Sequence, residues 1–98
     1  MSHPRIGLLV WDAWNQEHLQ KHAVTPDEAV EVVMGDSLIN ETYKNRLMVI
    51  GPNTAERVLT VVIGQVPGAD HVWYVFSARP ASRLERVRYS QWKGGRQS

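Results

Sequence analysis

Phe76-Ser77-Ala78-Arg79-Pro80-Ala81-Ser82-Arg83-Leu84-Glu85-Arg86-Val87-Arg88-Tyr89 carries the chain out of an apolar strand, across a proline, and into a charged helix. Ser82-Arg83-Leu84-Glu85 is a capping box: the serine hydroxyl accepts from the Glu85 amide, and the Glu85 carboxylate reaches back to the Ser82 amide. A last helix is therefore expected to start at Ser82. Its period places Leu84 and Val87 toward the core, with Gln91 further along, and puts Glu85, Arg86 and Tyr89 on the opposite side.

This stretch also divides the charge. From Arg79 to Ser98 stand six Arg or Lys and one acid, Glu85, while the rest of the chain holds five basic residues and nine acidic ones. A net charge of +1 hides that split. A cationic C-terminal edge on an acidic body suits a polyanion or an acidic partner.

Upstream, the runs are short and β-branched. Val72 to Phe76, Arg57 to Ile63 and Arg46 to Ile50 read as strands, separated by Val66-Pro67-Gly68-Ala69-Asp70 and by Gly51-Pro52-Asn53. Tight turns of this kind favour an antiparallel meander. Further back, Ile6 to Trp11 is a strand, and Asp12 caps a helix over Trp14 to His22. Thr25-Pro26-Asp27-Glu28 is a second capping box with proline in the first turn, followed by Ala29, Val32 and Val33 on one face and by a left-handed stop at Gly35. The order is β-α-α-β-β-β-α, an α+β domain with two N-terminal helices and one C-terminal helix on a small antiparallel sheet.

The 98 residues make one domain, residues 1–98, in which the polar, Gly-bearing 93–98 is expected to be a disordered tail. There are no cysteines, which excludes disulfides, thiolate metal sites and thiol nucleophiles. No run approaches a membrane span, and the start shows no secretory signal, so a cytoplasmic protein without a membrane partner is expected.

Several side chains have the chemistry of a site. Arg79, Arg83, Arg86 and Arg88 fall within ten residues around a helix start. Guanidinium groups bind phosphate in bidentate fashion and do not deprotonate, so they stabilise charge and make poor bases. The bland alternative is a solvated helix face paired with Glu85. His18 and His22 stand four apart on the first helix, a spacing metal sites use, but no third ligand accompanies them. His3 lies near the N-terminus and His71 at a turn. Proton transfer suits His22 better, with Lys21 beside it to hold a phosphate; the bland alternative for both is an exposed polar helix end, where cations favour the dipole. Trp11 and Trp73 read as core. For Trp14 packing is the commoner use, and stacking on a base the alternative. Gly51-Pro52-Asn53-Thr54 lacks the spacing of a phosphate loop, Ser77 has no triad pattern around it, and nothing resembles a helix-turn-helix, so direct DNA binding by this chain is not expected. No metal or other cofactor is called for.

Three blocks of residues together carry a resemblance. They are Val10-Trp11-Asp12 with Asn15, then Lys21-His22-Ala23-Val24-Thr25 and Glu28-Ala29; Arg46 through Gly51, then Arg57, Leu59 and Val61-Val62; and Phe76-Ser77-Ala78-Arg79, Ala81, Glu85-Arg86 and Tyr89. In order and spacing they resemble the BrnT toxin family of bacterial type II toxin–antitoxin systems. The resemblance implies a RelE-like ribonuclease fold, a toxin that cuts RNA and arrests translation, and a DNA-binding antitoxin of the ribbon-helix-helix type. The matching positions are Lys21, His22, Arg57, Arg79, Glu85, Arg86 and Tyr89. The family has glycine where Ala23 stands, so the first helix is expected to end differently here. In the resulting reading Arg79 and Arg83, with Arg57, stabilise the charge of a phosphorane, His22 or Glu85 transfers protons, and Lys21 positions phosphate. Arg86, Arg88 and Tyr89 bind RNA, with Tyr89 orienting the nucleotide. The alternatives are a non-catalytic module that docks RNA or an acidic antitoxin, and, more remotely, a metal-dependent hydrolase built on His18 and His22.

Overall fold

The first strand, β1, is Leu8–Val10, and Asp12 then caps α1, Ala13–Gln20. The cap is a closed box, in which the Asn15 amide donates to Asp12 and the Asp12 amide donates to Asn15, each at 2.9 Å. Asn15 is fully buried, and its side-chain amide also donates to the Val10 carbonyl at 2.9 Å, so its polar atoms are matched and the cost of burying them is offset. Helix α2, Pro26–Met34, starts at the Thr25–Glu28 box as its sequence requires. A computed structural model describes residues 5–96; His3 and the remainder of Met1–Pro4, and Gln97–Ser98 of the expected tail, lie outside them.

Four strands follow α2 rather than three: β2 (Leu38–Thr42), β3 (Arg46–Pro52), β4 (Val58–Gln65) and β5 (Val72–Pro80). The order is therefore β-α-α-β-β-β-β-α, and the expected α+β class holds with one strand more. Strand β2 pairs antiparallel with β3 along its whole length, from Leu38 opposite Ile50 to Thr42 opposite Arg46. It escaped the periodicity because an edge strand buries little, and Asn40 and Glu41 are exposed. The meander β3–β4–β5 is antiparallel as expected, but β1 lies parallel to β5, so the sheet is mixed, in the order β1-β5-β4-β3-β2.

The main core lies between α1, α2 and one face of this sheet. Leu19, Ala29, Val32 and Val33 meet Val49, Leu59, Val61, Ile63, Trp73 and Val75, all buried. Each such aliphatic side chain contributes about 1.5–3 kcal/mol by leaving water. The register explains the alternation: Leu47, Ile63 and Val75 stand in one cross-strand row, and Val49, Val61 and Ala78 in another.

The opposite face is covered at one end only, by α3, Arg83–Arg96. Here the expected helix face is corrected. Leu84 and Val87 are exposed, at 59% and 44%, while Tyr89 is buried at 7% against Ile50 and Ala81, with Trp92 beside it. The proline-to-serine bend sets the phase of α3, and that phase turns Glu85, Tyr89 and Trp92 toward the sheet. The helix also runs through Gly94 and Gly95, so 93–96 is helical where composition marks a tail.

Two caps differ from expectation in opposite senses. Gly35 is extended (φ −94°), not left-handed; glycine is needed there because a Cβ would stand 2.7 Å from the Glu31 carbonyl oxygen. Ala23 does take the left-handed conformation, at φ 55°, despite its side chain.

Candidate active site

Both groups of sequence-selected residues come to one end of the sheet, where β3 ends, β4 starts and β5 runs into α3. The Ala81 amide donates to the Val58 carbonyl at 3.0 Å, which ties the start of α3 to the start of β4.

On the side of α1 and α2, Arg57 is fixed from three directions. Asn53, nearly buried, accepts from the amides of Ala55 and Arg57 at 2.9 Å and donates to Glu28 at 2.8 Å. Glu31 accepts from both the amide and the hydroxyl of Thr54, at 3.0 and 3.1 Å. The hairpin end is thus fastened to α2. The Arg57 guanidinium reaches out to donate to the Ala23 carbonyl at 2.9 Å, with Glu28 at 3.6 Å. This brings Arg57 against the turn that carries Lys21 and His22, both exposed. The Glu28 carboxyl lies below its usual range, first because the Thr25 amide donates to it, against the cost of burial, with Asn53, the Thr25 hydroxyl and Arg57 adding to the effect. Glu28 and Asn53 were missed as site-forming residues. The capping box signalled Glu28, but only as a helix start.

On the α3 side, Arg79 and Glu85 form a two-pronged ion pair, with Nη1 to Oε1 at 2.7 Å and Nη2 to Oε2 at 2.8 Å. Glu85 also accepts from the buried Thr60 hydroxyl at 2.9 Å and from the Ser82 amide at 2.8 Å. These partners hold its carboxyl down at about 2, Arg79 contributing most, against the opposing effect of burial. Glu85 is consequently a permanent anion near neutral pH, unable to deliver a proton and too weak a base to take one. The same pairing raises the Arg79 guanidinium further above its ordinary value.

Arg86 turns back to donate to the Ala81 carbonyl at 2.8 Å, and Arg83 and Arg88 are exposed on α3. Tyr89 is unavailable to a nucleotide: it is buried, and its hydroxyl donates to the Asp36 carbonyl at 3.1 Å. The rings of His18, on α1, and His22, in the turn after it, stand edge to face at 5.8 Å, and among the described residues no group of three or more His, Asp or Glu gathers as a metal ion requires. No helix among the described residues is long and apolar enough to cross a membrane.

No protein-family model matches the chain, and no curated protein matches it. Among solved structures it is similar to the Brucella abortus ribonuclease toxin BrnT, with a TM-score of 0.64 and 24% identity, over 78% of this chain and 97% of that one. The chain has the BrnT fold. The BrnT-like frame spans nearly all of the Brucella protein, so what is shared is the whole arrangement of helices and sheet rather than one motif.

Proposed function

We propose that the chain is an endoribonuclease of the toxin class, cutting RNA through the RNA's own 2′-hydroxyl. The 2′-oxygen attacks the adjacent phosphorus, the bond from phosphorus to the 5′-oxygen breaks, and the products carry a 2′,3′-cyclic phosphate and a 5′-hydroxyl. His22 takes the proton of the attacking hydroxyl, and the departing 5′-oxygen takes one from water. Arg57, held beside the His22 turn by its bond to Ala23, stabilises the phosphorane, and Lys21 positions the phosphate. Arg79, paired with Glu85, and the exposed Arg83 lie on the α3 side of the same sheet end, where they hold the flanking RNA backbone and not the phosphorane. Glu85 organises Arg79 and moves no proton. The observation that carries this reading is the likeness of fold to a ribonuclease toxin, and Arg57 beside Lys21 and His22 supports it.

In this reading the protein acts in the cytoplasm, arrests translation, and is restrained by an antitoxin of the ribbon-helix-helix type that binds DNA. Expression of the chain alone should stop growth, and purified protein should cut RNA in the presence of chelator. His22→Ala and Arg57→Ala should each lower cleavage at least about a hundredfold. Full activity in both variants would remove the proposed site.

One observation favours a second reading. Because Glu85 pairs with Arg79, one cation of the expected pocket is already taken. A non-catalytic module that docks RNA or an acidic antitoxin through the exposed Arg83 and Arg88 would bind RNA tightly and leave it intact.

A further inference from the structure

A line of rings and cations starts on the sheet face that α3 leaves open and continues round onto α1. Arg46 lies over the Phe76 ring at 3.6 Å and 6.0 Å from the Tyr43 ring. Phe76 meets Tyr74 edge to face at 5.0 Å, and Tyr74 lies 6.5 Å from Trp14. Trp14 stacks on His18 at 5.1 Å with the planes 6° apart, and His18 leads to His22. Three features show the line to be built. The register of β4 and β5 slips between Val62 and Ile63, so Phe76 is the extra residue of a β-bulge, a device that re-aims a side chain. Beneath it is Gly64, where a Cβ would stand 2.6 Å from the Phe76 ring; only glycine lets the ring lie down on the sheet. The Tyr74 hydroxyl donates to both Asp12 oxygens at 3.0 Å, which fixes that ring against the α1 cap. Yet Tyr43 at one end and Trp14 within the line are 69% and 57% exposed. Beside the Arg46 end opens a cleft of about 480 Å³, lined by Lys44, Arg46, Gln65 and Phe76 with one acid, Asp70.

Flat rings exposed at Tyr43 and Trp14, with the Arg46 guanidinium and the Lys44 ammonium at the cleft end of the line, fit one ligand class above others. Successive bases of a single strand stack on such rings, and the cations meet the phosphates between them. We propose that Tyr43, Arg46, Phe76, Tyr74, Trp14 and His18 form a stacking track for single-stranded RNA, running from the cleft to His22. The track deepens the ribonuclease reading and rests on it: it would feed the strand to the turn where the proposed proton transfer takes place.

The test uses the whole chain and a fluorescent single-stranded RNA of about ten nucleotides, 2′-O-methylated throughout so that it cannot be cut, titrated by anisotropy. Trp14→Leu and Tyr43→Leu should each weaken binding by about tenfold, and Trp14→Phe, which keeps a ring, should retain most of it. An abasic strand of the same length should bind wild type weakly and be indifferent to these substitutions. The salt slope should stay unchanged in the leucine variants, because stacking displaces no counterions, and should fall in Arg46→Gln. Both positions are exposed, so each variant should give the wild-type circular dichroism spectrum, which is checked before titration. Leucine variants that bind like wild type overturn the track, while cleavage of unmodified RNA by wild type would leave the ribonuclease reading standing. If wild type neither binds the probe nor cuts RNA, both fall. A dimer in sedimentation that Trp14→Leu dissociates, with probe affinity unmoved, overturns the track by giving the face to a second copy.

Discussion

Glu85 shows how a single side chain can look catalytic in a sequence and be structural in three dimensions. A carboxylate among arginines reads as an acid or a base, but four donors converge on it and hold its carboxyl at about 2. An unfolded chain protonates this group near 4.5, so as pH falls the unfolded state binds the proton first, and the stability it contributes is lost between about 4.5 and 2. Glu85→Gln should cost about 2 kcal/mol at neutral pH, and the gap from wild type should close as pH falls through that window. Urea midpoints for both proteins across the range measure it; curves that stay parallel would show that the carboxylate contributes nothing specific. Ala23 makes a second residue-scale case. Its φ of 55° is one that glycine adopts freely, so Ala23→Gly should stabilise the protein by about 1 kcal/mol in the same titration, and a loss of stability would contradict the strain assigned there.

Among the elements, what could be read from the chain was what local chemistry decides. Both capping boxes, the Asp12 cap and the β-branched strands β3 to β5 are short-range signals, and they were legible. Strand β2 and the phase of α3 were not, because both depend on the sheet. Leu38 and Ile39 need the β3 edge before they have anywhere to pack, and Tyr89 rather than Leu84 faces inward only because of the bend through Pro80 and Ala81. The same limit applies to the site. Lys21, His22 and Arg57 could be picked by type, but the fastening of Arg57 through Asn53 and Glu28 crosses 25 residues of sequence. Gly35 marks the difference well: its place at a helix end was readable, while its reason, the nearby Glu31 carbonyl, is three-dimensional. Gly35→Ala should therefore destabilise by about 1–3 kcal/mol through backbone displacement, even though its φ suits any residue. A thermal melt unchanged from wild type would contradict that account.

At the scale of the molecule, one face of the sheet is closed by α1 and α2, and the other is half covered by α3. The fold brings the α1–α2 turn, the β4 start and the α3 start to one end, and leaves a ring-lined face beside them. In the proposed reading a rigid sheet holds the reacting groups while the bare face holds the strand. The central claim is that the chain cuts RNA with the RNA's own 2′-hydroxyl as the nucleophile. Mass analysis of the fragment ends, after purified protein meets RNA in chelator, tests it most directly. The account predicts 2′,3′-cyclic phosphate and 5′-hydroxyl ends that vanish with His22→Ala; intact RNA, or ends bearing a 5′-phosphate, would contradict it.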